Sequence, residues 1–190
     1  ILAALGVAEP VVLAGNSLGG RIAWEFGLRF AGRTAGLVLI DSLGYPWPRK
    51  PTGIALARVP LLGWMQRWIT PRFLIRESLH EVYGDDALVS EELVERHFAM
   101  MLREENRSAF IQRVNHELDA DSSRIAGLRM PVLVLWGADD IWISAKHADL
   151  FARDLPQAKV ITYAGVGHVP QEETPAQVGA DMLRFLENLP

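Results

Sequence analysis

The chain has 190 residues, 49% hydrophobic and 22% charged, with a formal net charge of −4; it is long enough to bury a sizeable core as one or two domains and too apolar to be disordered. Without a Lys/Arg cluster, that negative balance argues against nucleic acid or an anionic membrane surface as partner. The absence of cysteine excludes disulfides, thiolate metal sites and a cysteine nucleophile, and agrees with a reducing compartment.

Ile1 to Val7 reads as the last turns of a helix stopped by Gly6 as a C-cap. The apolar run Val11 to Ala14 then predicts a strand, followed by Gly15-Asn16-Ser17-Leu18-Gly19-Gly20 and a helix from Leu18 to about Phe30. A serine between glycines on a strand-to-helix turn fits the G-x-S-x-G elbow, which holds the hydroxyl above the sheet in strained geometry, so Ser17 is a candidate nucleophile. A tight turn with a capping serine would show the same pentapeptide. Ala35 to Ile40, a continuous apolar run, predicts a second strand covered on both faces, which completes a βαβ unit.

The prolines of Tyr45 to Pro51 end that pattern. From there to about Ile125 only helical segments are expected. Ser90 is placed to cap a helix from Glu91 to Arg103, and Asn106 to Leu118 forms another. Alternation resumes at Met130, with strands Val132 to Trp136 and Lys159 to Tyr163. Gly137-Ala138-Asp139-Asp140 follows the first of these and Gly165-Val166-Gly167-His168 the second. A serine hydroxyl needs an imidazole to take its proton, and the imidazole needs a carboxylate to fix its tautomer, so Ser, Asp and His at three strand ends form a coherent set. His80, His97, His116 and His147 lie in charged, helix-like stretches and read as solvated surface residues.

Taken in the order Ser, Asp, His, these motifs resemble the α/β-hydrolase superfamily over essentially the whole chain. The resemblance implies an α/β fold with a mostly parallel sheet, its first strands lying upstream of this chain, and an inserted helical cap. It implies hydrolase core at 1–44, cap at 45–125 and core again at 126–190. Ser17 is then the nucleophile, Asp140 (in preference to Asp139) the acid, His168 the base within reach of Ser17, and the Leu18 N–H one oxyanion donor. A second donor is expected upstream, and on that ground the chain is read as the C-terminal portion of a longer hydrolase.

The apolar inventory of the cap, Trp47, Trp64, Met65, Trp68, Phe73, Phe98, Met100 and Met101, suits either packing of the cap onto the core or an apolar pocket. Asn16, Trp64, Trp68 and Val169 are the expected substrate contacts; Arg107 and Arg113 are expected at the surface. The resemblance further implies a small apolar or aromatic carboxylic ester as substrate, with no metal or organic cofactor. Carbon–carbon bond hydrolysis of aromatic ring-fission products, perhydrolase chemistry and a non-catalytic fragment are the alternatives. The carbon–carbon relatives usually place a tryptophan after the histidine, where Val169 stands here. No run is long enough to span a bilayer, and a cytoplasmic location without membrane partner is expected.

Overall fold

The computed structural model describes residues 2–46, 51–103, 105–116 and 121–189. Its frame is a parallel four-stranded sheet in the order β1 (Val11–Asn16), β2 (Thr34–Ile40), β3 (Val132–Gly137), β4 (Lys159–Tyr163). The register sets Asn16 beside Ile40 and Ile40 beside Leu135. The residues leaving these strands therefore emerge together at one edge of the sheet, where open parallel sheets build their sites.

Alternation along the central strands explains why they read as unbroken apolar runs. Leu37, Leu39, Val132, Val134 and Trp136 face one side, against Ala23 and Trp24 of α1 (Leu18–Arg29) and Phe151 of α7 (Lys146–Asp154). Val38, Ile40, Leu133 and Leu135 face the other, against Val178 of α9 (Pro175–Glu187). Both faces are covered, so no polar position was needed. Each such side chain contributes about 1.5–3 kcal/mol when fully buried.

Between β2 and β3 the described residues contain helices and no strand: α2 (Thr52–Ala57), α3 (Pro60–Gln66), α4 (Arg72–Val82), α5 (Glu91–Met101) and α6 (Asn106–Asn115). The Ser90 side chain accepts the Leu93 N–H at 3.1 Å, the expected cap of α5. That helix ends at Met101, short of Arg103, and the expected end of α6 at Leu118 lies outside the described residues, as does Trp47. Tyr45 and Ile125, at the two ends of the inserted range, pack in the core beneath the sheet. Only a 3₁₀ turn, Ala3–Leu5, stands where an α-helix was expected at the start, but Gly6 does close it with φ 69°. No helix of the described residues is long and apolar enough to cross a membrane.

Candidate active site

β1 runs into α1 through Ser17, whose φ of 55° and ψ of −115° lie outside the regions open to ordinary residues. Such a conformation costs about 1–3 kcal/mol and persists only where neighbours enforce it. Here Ser17 N donates to Ile40 O at 2.8 Å and Ser17 O accepts from Leu43 N at 3.0 Å, so both sides of the residue are fixed to β2 and its exit. Gly15 is required because a Cβ there would enter the backbone of Gly19 and Gly20, and Gly20 because a Cβ would enter Ser42. A Cβ on Gly19 would meet nothing within 4 Å, so the second steric glycine of the elbow is Gly20 rather than the motif's Gly19. The Leu18 N–H opens α1 and is one of the four donors that a helix leaves unpaired at its start.

Asp140, buried after β3, accepts the Trp142 N–H at 2.8 Å and the Ile143 N–H at 2.9 Å on Oδ1. Its Oδ2 lies 2.7 Å from His168 Nδ1. Three donors converge on this carboxylate, whereas Asp139 beside it is exposed. Nδ1 therefore carries the imidazole proton and Nε2 is left as the basic nitrogen. Nε2 is buried with no hydrogen-bond partner among the described residues. The expected bond from Ser17 to His168 is thus not made in this structure; bonds of this kind are commonly long in free enzymes and tighten around the bound substrate.

The His168 loop is held from three directions. His168 N donates to Val82 O at the end of α4, at 2.7 Å. Glu173 of α8 (Pro170–Glu173) accepts Gly167 N at 2.9 Å on one oxygen and Gly84 N at 2.8 Å on the other, joining the loop to the inserted helices. Asn16 donates to His168 O at 2.9 Å and to Ile40 O at 3.2 Å.

That last pair uses the amide donors of Asn16, a residue expected among the substrate contacts, to tie the elbow to the histidine loop. Val169, also expected there, is buried against Leu79, Tyr83 and Val94, where it packs the inserted helices onto the loop. Trp64 and Trp68 are 61% and 68% exposed, so they are free of core duty. Arg107 is engaged by the Trp68 carbonyl at 2.8 Å. His147 is not a solvated surface residue: it packs between the rings of Tyr45 and Trp136, and burial lowers its pKa.

Besides Glu173, two residues of the site carry no signal in the sequence. Trp142 lies over the His168 ring, centroids 5.2 Å apart, and its indole N–H reaches Glu81 of α4 at 3.3 Å. Asp41, fully buried at the exit of β2 with φ 42°, accepts the Gly137 N–H at 3.0 Å. Burial, with the neighbouring Asp140 charge, raises its pKa to about 9. Carboxylate oxygens of Asp41 and Asp140 and a ring nitrogen of His168 lie within 4.8 Å of one another, so the three form one buried cluster.

The model of the alpha/beta hydrolase family matches residues 1–181. The chain belongs to this family. Among its alpha/beta hydrolase relatives, Lipase 1 of Psychrobacter immobilis is 27% identical over 91% of this chain and 54% of its own length. The 2-hydroxy-6-oxo-6-phenylhexa-2,4-dienoate hydrolase of Burkholderia cepacia is 28% identical over 97% of this chain and 65% of its own. A thermophilic esterase from Thermogutta terrifontis superimposes with a TM-score of 0.77 at 26% identity, covering 98% of this chain and 68% of that one. The chain spans 54% to 66% of the length of the curated relatives it matches first.

Proposed function

We propose that the chain carries the catalytic groups of a serine hydrolase that cleaves a small apolar or aromatic carboxylic ester through an acyl-enzyme. The observation that carries this reading is the buried 2.7 Å pair of His168 and Asp140, with the basic Nε2 left unpartnered, at the sheet edge that bears the strained Ser17. Ser17 Oγ attacks the carbonyl carbon as its proton passes to His168 Nε2. The Asp140 carboxylate stabilises the imidazolium, and the Leu18 N–H donates to the oxyanion. The imidazolium returns the proton to the leaving alcohol. Water repeats the sequence on the acyl-serine and releases the acid. Nucleophile, base and orienting carboxylate are all supplied by the chain, so these steps call on no cofactor.

The ester reading draws support from the lipase and esterase relatives. The apolar side chains left exposed on and beside α3 and α4, Trp64, Met65, Trp68 and Phe73, suit an apolar substrate. A second reading, carbon–carbon bond hydrolysis, draws on the Burkholderia cepacia relative. Steady-state turnover of p-nitrophenyl esters of increasing acyl length, beside a 2-hydroxy-6-oxo-dienoate, tests both. Ester turnover that falls roughly 10⁴- to 10⁶-fold in Ser17→Ala is the expected result. Turnover of the dienoate alone would move the assignment to the second reading.

A further inference from the structure

Asp41 is a buried carboxyl that the proton transfers above do not use. Its Oδ1 accepts the Gly137 N–H, and its Oδ2 is buried with no donor among the described residues. Asp140 from the turn after β3 and His168 from the loop after β4 have atoms within 4.8 Å of it, and the charge of Glu173 from α8 adds to the field there. Two adjacent buried carboxyls do not both ionise; one keeps a proton and the other takes the charge. The donor count decides which. Asp140 receives two backbone N–H groups and the imidazole N–H, whereas Asp41 receives one backbone N–H.

We propose that Asp41 is a positioning residue that remains a neutral acid and donates its Oδ2 proton to Asp140, so that the cluster around His168 carries one negative charge instead of two. This rests on the serine-hydrolase reading for its catalytic consequence but not for its protonation state. With one charge, the cluster passes from −1 to zero as Nε2 takes the Ser17 proton. The raised pKa of Asp41, about 9, agrees with the donor count. The hydrogen bond also fixes the rotation of the Asp140 carboxyl, and with it the direction of the imidazole.

Infrared spectroscopy of the protein across pH 5 to pH 10 reads the proton directly. The expected result is a carboxylic-acid C=O band that persists at neutral pH, disappears near pH 9 and is missing in Asp41→Asn. This readout needs no activity, so it stands apart from any failure of the ester assay. In the ester assay, Asp41→Ala should lose activity and Asp41→Asn should recover most of that loss, because an amide offers an acceptor to Gly137 and a donor to Asp140. The acid limb of kcat/KM should stay within about 0.3 pH unit in Asp41→Asn, since a neutral group replaces a neutral group. Removal of a real charge at this range would lower that limb by about 1 pH unit or more. Such a shift, or a wild-type spectrum without the acid band at neutral pH, would overturn the proposal.

Discussion

Replacing Asn16 separates a tether from a substrate contact. In Asn16→Ala both amide hydrogen bonds are lost. Ile40 O keeps the Ser17 N–H at 2.8 Å, so only His168 O is left without a donor. A lost part-buried hydrogen bond costs about 0.5–1.5 kcal/mol and an orphaned buried carbonyl about 1–3 kcal/mol, so the variant should lose about 2–3 kcal/mol of stability. Asn16→Asp should lose more, because an acceptor-only carboxylate would then face two carbonyl oxygens. A displacement near 1 Å in a reacting group can cost about 10²-fold, so kcat should fall 10- to 100-fold with little change in KM. Urea unfolding and ester kinetics on the three proteins provide the test. Unaltered stability together with a rise confined to KM would refute the tether and return Asn16 to the substrate pocket.

Stability should also report the Asp41 proton: with a folded pKa near 9 against an ordinary 3.8, the folded form holds a proton that the unfolded chain releases. That contribution is complete below about pH 4 and is lost as pH rises toward 9. Urea midpoints should fall across this window and flatten in Asp41→Asn; parallel curves would contradict it. Glu173→Ala removes the acceptor of two backbone N–H groups and should cost about 2 kcal/mol. Glu173→Gln, which keeps one acceptor oxygen, should fall between Glu173→Ala and wild type in thermal unfolding. Trp64→Ala and Trp68→Ala should change stability by less than about 0.5 kcal/mol while raising KM for aromatic esters; a KM equal to wild type in both would remove them from the pocket.

The strands, the elbow and the histidine loop were legible because each is a local pattern: an apolar run followed by glycines and one reactive residue. The choice of Asp140 over Asp139 was legible from its place in that turn. Asp41 was not, because a lone aspartate after a strand looks like any strand end until the register places β2 between the strands that carry Ser17 and Asp140. The same holds for Asn16, whose partner lies 152 residues away, and for Glu173, which bridges two glycine N–H groups from separate elements. His147 misled because its helix is charged on one side, whereas the imidazole turns toward Tyr45 and Trp136. Val169 carried no signal of its own, and only the packing of α4 and α5 explains it.

The central claim is that Ser17 forms a covalent acyl intermediate with the help of His168. Intact-mass spectrometry of the protein quenched during turnover of a p-nitrophenyl ester tests it most directly. The account predicts one acyl adduct, mapped to the peptide bearing Ser17, absent in Ser17→Ala and strongly slowed in His168→Ala. An adduct of equal yield in Ser17→Ala, or ester turnover with no adduct and no loss in either variant, would contradict it.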